Sequence, residues 1–323
     1  MATKYSNKYI LETGIGLQDV DGLKNSSYFL DESSRYIKGE ISLEELDQII
    51  SSYYENKPEL EPSNEEADKV SIAIAKAIAE DSFVFSVGQL LSIHQSLFQG
   101  VLDHPGQLRT YNFSKKEWVL DGASVTYCDY REVERTLQYD FEQEKRFSYR
   151  GLSKDEIIEH LAFFISSLWQ IHAFEEGNTR TTAVFFIKYL RSLGFDVTND
   201  TFAKNAWYFR NALVRANYTN IGKGIYNDRS YLVLFLRNLL LGENNELSNR
   251  DLHIHAPVSE KKPDNKSKIL ERIKRNPSIT AGQLANATNV SLRTVKNALK
   301  ALQEGKAIER VNGKRYGYWK VNK

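Results

Sequence analysis

The sequence predicts a mainly α protein: a helical core interrupted by one small β-hairpin, followed by a small C-terminal domain with two strands of its own. Three observations carry this. Apolar residues recur at helical spacing through most of residues 66–241. Two helix starts, at Ser42 with Glu45 and at Ser153 with Glu156, have the capping-box spacing, in which each side chain satisfies the other residue's backbone N–H. Only between residues 109 and 129 does the pattern turn β-prone, where Trp118-Val119-Leu120 and Ser124-Val125-Thr126-Tyr127 flank Asp121-Gly122, a hairpin turn signature.

At 323 residues the chain has room for one core of about 200 residues plus small appendages. Its 41% apolar and 26% charged residues are ordinary for a soluble globular protein. No stretch approaches the ~20 apolar residues of a membrane helix, because the most apolar run, residues 231–241, is broken by Arg237 and Asn238. The N-terminus is polar and lacks the apolar centre of a secretory signal, so the expected location is cytoplasmic, with no membrane partner. Cys128, the single cysteine, excludes an intrachain disulfide and a cysteine-rich metal site and fits a reducing compartment. The net charge of +1 hides an asymmetry: residues 265–323 hold 14 Lys and Arg against 3 Asp and Glu, a net +11, which leaves −10 on residues 1–264. Body and tail face different partners.

The elements follow in order. Residues 1–60 form an N-terminal helical segment, with helices expected at 26–37 and from Leu43, closed by a Pro58/Pro62 stretch. The core, residues 61–245, opens with helical periodicity at 66–80 and 90–98 and passes through the hairpin at 114–127. It continues with strongly apolar helices at 157–171 and 178–193, then helices at 202–217 and 231–241. Residues 246–264, polar and containing Pro257 and Pro263, read as a linker. Residues 265–323 give helices at 266–275, 280–287 and 291–303 and two short strands around Asn312-Gly313, the order of a winged helix-turn-helix.

The loop His172-Ala173-Phe174-Glu175-Glu176-Gly177-Asn178-Thr179-Arg180 joins two buried helices and concentrates a histidine, two carboxylates, an asparagine and an arginine. Burying that much charge without use is costly. Gly177 and Asn178 stand at a helix start, where free N–H groups and the macrodipole favour an anion such as phosphate. A carboxylate can hold Mg²⁺ against phosphates, an arginine fork can neutralise a further phosphate, and a neutral histidine can take a proton from an attacking hydroxyl.

This loop closely resembles the Fic motif, His-x-Phe-x-Asp/Glu-Gly-Asn-Gly-Arg, and the resemblance extends over about residues 60–245, taking in His104-Pro105-Gly106-Gln107-Leu108-Arg109, the hairpin and residues 209–217. It implies a Fic-type helical core that transfers AMP from ATP, with Mg²⁺, to a Tyr, Thr or Ser hydroxyl of a target protein or of itself, releasing pyrophosphate. By position, His172 is the implied base, Glu176 the metal ligand, and Gly177, Asn178, Thr179 and Arg180 the phosphate site. Phe174 anchors the loop, Phe209 and Leu213 line the adenine pocket, and Asn217 contacts the nucleoside. Trp118, Val119 and Leu120 belong to a flap that docks the target as an added strand. Phe209 and Leu213 are at the same time expected core residues, and His94, His104 and His160 structural or surface histidines.

Two departures matter. Thr179 replaces the usual glycine, and Ala183 stands where many members carry a second arginine that grips the γ-phosphate or pairs with an inhibitory glutamate. The N-terminal segment looks like the antitoxin-type segment that bears this glutamate, but its motif is degraded. Leu17 to Asp21-Gly22 has Asp for Glu, and Ser34 to Lys38-Gly39 has a lysine, so the usual inhibition is expected to be absent or rewired.

In the tail, Arg293, Lys296 and Lys300 share one helix face, and Lys314 and Arg315 lie at the wing, a stripe suited to DNA phosphates. The favoured expectation is therefore a cytoplasmic adenylyltransferase whose winged-helix domain meets DNA or a DNA-bound protein, with a homodimer among its allowed assemblies. Two alternatives stay open: a nucleotide-sensing DNA-binding regulator with little transferase activity, and removal of AMP from a modified protein.

Overall fold

The computed structural model describes residues 5–56, 62–255, 265–288, 290–305, 307–311 and 317–322. The chain divides into two units, Met1–Ile254 and His255–Lys323. The first begins with α1 (Asn7–Gly16), a 3-10 turn at Leu17–Asp21, α2 (Ser27–Ile37) and α3 (Leu43–Glu55). It continues through α4 (Pro62–Ala79), α5 (Val87–Phe98), α6 (Val133–Arg146), α7 (Lys154–Ile171), α8 (Asn178–Ser192), α9 (Thr201–Ala216), α10 (Ser230–Leu241) and the short α11 (Asn249–Leu252). Both capping boxes form as their spacing predicts, at Ser42/Glu45 before α3 and at Ser153/Glu156 before α7. Among the described residues no helix is long and apolar enough to cross a membrane.

Helix α8 is the axis of this unit: every residue from Asn178 to Leu190 is buried, and α4, α5 and α7 pack around it. An all-round buried helix places the residues at its N-terminus inside the protein rather than on a surface.

The N-terminal segment is not a separate body. Tyr5, Ile10, Phe29, Leu46 and Tyr54 belong to the same apolar cluster as Phe185 and Leu236. Two glycines let α1 lie against α4 and α9 almost backbone to backbone: a Cβ on Gly14 would sit 2.3 Å from the Ser71 carbonyl oxygen, and one on Gly16 would sit 2.1 Å from that of Ala203. The buried carboxylate of Asp68 on α4 ties the segment down, accepting from the Ser26 N–H (3.0 Å), the Ser26 hydroxyl (2.6 Å) and the Tyr54 hydroxyl (2.7 Å). Burial is the first cause of its raised pKa, and these hydrogen bonds oppose it.

Two expectations are corrected. Residues 114–127 reverse direction, with the Glu117 N–H donating to the Ala123 carbonyl at 2.9 Å, but no strand ladder forms there; a 3-10 turn at Trp118–Leu120 occupies the bend. The reason is burial: Val119 and Leu120 both turn into the core, which a half-exposed alternating strand does not allow. The expected linker at 246–264 also starts late. Leu252 is fully buried, and the Ile254 N–H donates to the Val119 carbonyl at 2.9 Å, so residues 249–254 belong to the first unit.

The second unit has the expected order: α12 (Asn265–Arg275), α13 (Ala281–Thr288), α14 (Leu292–Glu304) and strands β1 (Ile308–Val311) and β2 (Tyr318–Val321), paired antiparallel with Ile308 opposite Val321. Ile269, Ile273, Leu284, Val295 and Leu299 form its own small core.

Candidate active site

The loop between α7 and α8 is held in a conformation few sequences could adopt. His172 caps α7 in the left-handed region (φ 51°, ψ 61°), where non-glycine residues are strained, and Gly177 caps α8 at φ 72°. At Gly177 a side chain is excluded twice, because a Cβ would also lie 2.3 Å from the Phe98 ring. Asn178 staples the loop shut: its side-chain oxygen accepts the Phe174 N–H at 2.9 Å, and its amide donates to the Phe174 carbonyl at 2.7 Å.

Residues outside the loop buttress it. The His94 ring stacks on Phe174 with centroids 3.8 Å apart. Its Nδ1 accepts the Gly106 N–H at 2.7 Å, so Nε2 carries the proton and donates to the Glu176 carbonyl at 3.1 Å. Burial pulls the His94 pKa down to about 4, which keeps this strut neutral. The expectation of a structural histidine holds. Arg109, also buried, donates to the carbonyls of His172 (2.7 Å), Tyr111 (2.8 Å) and Cys128, and its own N–H donates to the Ala173 carbonyl at 2.9 Å. The Arg109 side chain thereby fastens the loop to the segment that covers it.

That segment and the end of α7 enclose His172. Tyr127 stacks on the imidazole at 3.8 Å, Trp169 and Phe113 meet it edge-on at 5.3 and 5.6 Å, and the ring is 3% exposed. Nδ1 lies 3.4 Å from the Trp169 carbonyl, whereas Nε2 is buried without a hydrogen-bond partner. Burial holds the His172 pKa well below its usual value, the charge of Lys115 adds to this, and the Trp169 carbonyl only partly opposes it. The imidazole is therefore neutral at physiological pH, with Nδ1 facing the carbonyl and the Nε2 lone pair left over. A buried acceptor with nothing to accept from marks a place for an incoming donor. Glu117, fully buried, receives both Arg210 nitrogens (2.6 and 3.1 Å) and the Tyr127 hydroxyl (3.4 Å), which fixes the cover over the histidine. Nothing in the local sequence pairs Glu117, Tyr127 and Arg210; only the fold does.

Glu176 is the exposed member of the loop, and its carboxylate meets Lys115 at 2.8 Å. Among the described residues no group of three or more His, Cys, Asp or Glu could hold a metal. Mg²⁺ bound through one carboxylate and the phosphates of a nucleotide does not need such a cage, so the hard oxygen donor of Glu176 fits that ion.

Arg180, expected to clamp phosphate, is turned the other way. Its side chain is 2% exposed, with Nε 2.9 Å from Asp21, Nη2 2.7 Å from Glu66 and Nη1 3.1 Å from Gln18. Two carboxylates from the N-terminal 3-10 turn and from α4 outcompete solvent for a guanidinium that α8 delivers into the interior, and Phe98 covers its face at 4.7 Å. In this conformation the arginine is a structural pin. The Thr179 hydroxyl likewise accepts from the Trp169 indole at 2.9 Å. What remains for an anion is the backbone at the start of α8, where Gly177 provides no side-chain cap and the first turn holds no acidic residue.

Phe209 and Leu213 are fully buried, Phe209 among Phe202 and Phe235 at 5.0 Å each, so core packing is the role visible for them. The Asn217 amide donates to the carbonyls of Ser166 (2.9 Å) and Leu213 (3.0 Å). Of the expected docking flap only Trp118 is exposed, at 50%, and the Val119 carbonyl is already taken by Ile254, so these three residues do not present an open strand edge. In the second unit Arg293, Lys296 and Lys300 are all exposed on α14, while Lys314 and Arg315 lie outside the described residues.

Comparison with known proteins finds similarities in both units. Residues 84–190 match the Fic/DOC family, and residues 265–319 match a family described as an HTH domain. The chain is 25% identical over 136 residues to the probable protein adenylyltransferase Fic of Escherichia coli, covering 41% of this chain and 64% of that protein. It is 26% identical over 176 residues to a protein adenylyltransferase of Bartonella henselae, covering 50% of this chain and 32% of the relative. It thus spans less than two thirds of either relative's length. A crystal structure of a Fic family protein from Desulfovibrio desulfuricans G20 superposes with a TM-score of 0.44 and 13% identity, covering 98% of this chain and 87% of that one.

Proposed function

From the premise that the chain carries a Fic/DOC-family domain at residues 84–190 and a helix-turn-helix domain at residues 265–319, we propose that it is a protein adenylyltransferase. The observation that carries the reading is the neutral, buried His172 whose Nε2 lacks a partner, in the same loop as Glu176 and the uncapped start of α8. The relatives named protein adenylyltransferase support it.

In the proposed reaction, Nε2 of His172 accepts the proton of a Tyr, Thr or Ser hydroxyl on the target. The freed oxygen attacks the α-phosphorus of ATP, its bond to the β-phosphate oxygen breaks, and pyrophosphate leaves. The N–H groups at the start of α8 receive phosphate charge, with the left-handed Gly177 keeping the backbone bare there. Glu176 would hold Mg²⁺, which supplies charge neutralisation on the phosphates. The aromatic cover of Tyr127 and Phe113 excludes water from the histidine and must open for the target hydroxyl to reach it.

Incubating the protein with α-labelled ATP and Mg²⁺ tests this: wild type should label protein and His172→Ala should not. Label that appears equally with both variants, or with neither, sinks the reading. A second reading is favoured by the pinned Arg180 and the covered histidine: a nucleotide-sensing DNA-binding protein with little turnover. It predicts nucleotide binding without labelling, together with a DNA gel shift of the full chain that weakens with salt.

A further inference from the structure

A triphosphate in this site needs cationic partners, yet helix α8 offers none. Its three basic side chains are all committed to interior acceptors: Arg180 as described, Lys188 to the carbonyls of Ala77 (2.7 Å) and Glu80 (2.6 Å), and Arg191 to the Ile78 carbonyl (2.6 Å) and the Tyr9 hydroxyl (3.1 Å). Ala183, one turn beyond Arg180, is buried and uncharged. Of the cations near His172 on the facing segments, Arg109 is saturated by backbone carbonyls, and Arg210 is held by both oxygens of a fully buried Glu117.

Lys115 differs from all of these. Its side chain is 25% exposed, and its ion-pair partner Glu176 is 55% exposed. An ion pair this open to solvent is weak, so the ammonium exchanges its carboxylate for a phosphate at little cost. Its backbone is nevertheless fixed, because the Lys115 N–H donates to the Ser124 hydroxyl at 3.2 Å across the reversal. Phe113, two residues earlier, lies against both the His172 ring and the lysine head, at 5.6 and 5.9 Å. A flexible four-carbon stem on an anchored backbone puts a mobile positive charge between the base and the metal-ligand candidate.

We infer that Lys115 grips the outer phosphates of the nucleotide, supplying from the covering segment the charge that α8 withholds. This rests on the adenylyltransferase reading of the His172 site. When the nucleotide binds, the lysine leaves Glu176 for the β- and γ-phosphate oxygens, which frees the carboxylate for the cation that accompanies them. The grip follows the number of phosphates, because an AMP lacks the oxygens that Lys115 meets.

Calorimetric titration of the full chain with ATP and with AMP, in Mg²⁺ buffer, tests it. Relative to wild type, Lys115→Ala should bind ATP about ten-fold more weakly and AMP within about two-fold, as expected for one lost charge-assisted hydrogen bond. Lys115→Arg should restore most of the ATP affinity, and Lys116→Ala, an exposed cation on the same segment, should leave it unchanged. An unchanged melting temperature of Lys115→Ala separates loss of contact from loss of fold. ATP binding by Lys115→Ala within about two-fold of wild type, or an equal loss for ATP and AMP, overturns the inference while leaving His172-dependent labelling intact. Wild-type protein that binds neither nucleotide overturns the inference together with the reading beneath it.

Discussion

The two ends of the loop from His172 to Arg180 are buried to the same degree, at 3% and 2% exposure, yet they are finished in opposite ways. At the Arg180 end, a charged group is met by two carboxylates and an amide. At the His172 end, a neutral group is enclosed by aromatic faces and its Nε2 has no partner. The guanidinium is held by ion pairs, although its Nε, 2.9 Å from Asp21, makes no hydrogen bond, whereas the neutral imidazole has an acceptor that nothing meets. Sequence position makes His172 the expected base and Arg180 the expected phosphate clamp; their partners tie Arg180 into the interior and leave His172 Nε2 unmet.

Five substitutions or conditions can break or sharpen that contrast. The largest effect should come from His172→Ala, which should lower protein labelling by about 10²–10⁴-fold with little loss of stability, measured as initial rates against urea midpoints. Arg180→Ala should do the reverse in kind, costing about 3 kcal/mol in urea denaturation because Asp21 and Glu66 lose their shared cation. Gly177→Ala should cost about 2 kcal/mol, combining left-handed strain with the clash against Phe98, and a thermal melt will register it. The pH dependence of stability follows from His94. Its folded pKa of about 4 lies below the ordinary value of 6.5, so the unfolded chain binds the extra proton, and stability present at pH 7 falls as the pH drops through 6.5 toward 4. Between pH 7 and 5 this amounts to about 2 kcal/mol, and His94→Gln should remove that share of the slope, leaving the share that the buried His172 contributes in the same direction. Smallest should be Asp21→Asn, under about 1 kcal/mol, since Arg180 keeps Glu66 and Gln18.

Helices with a strong local signature were legible from sequence. The capping boxes at Ser42 and Ser153 announce α3 and α7, and the dense apolar pattern after Asn178 announces a buried α8. Helices with a weak signature were not. The α1 segment carries no helical signature in the sequence reading, and the fold uses its Gly14 and Gly16 for close approach to Ser71 and Ala203. In α6 the buried stripe is only Val133, Leu137 and Phe141 with Glu144, too narrow against a polar background to register. The same division runs through the site. The loop itself is a contiguous pattern and could be read, but the partners that decide its chemistry lie elsewhere in the chain: Tyr127 over His172, Lys115 at Glu176, Asp21 and Glu66 at Arg180. The hairpin expectation failed because β-propensity at Val119 and Leu120 reports suitability for burial as much as for a strand.

The pin at Arg180 also dictates an order of events during synthesis. Gln18 meets its partner 162 residues later in the chain, and Glu66 meets it 114 residues later. In a nascent chain emerging from the ribosome, Gly14 of α1 can meet Ser71 once α4 is made, whereas the Gly16 side stays uncovered until α9 is made. Contacts of such long sequence separation form late and lengthen the search for the native state. Closure of the first unit thus waits for translation through Ile254, and slowing elongation before Ala203 should prolong the interval in which the Gly16 side of α1 is open to chaperones and proteases.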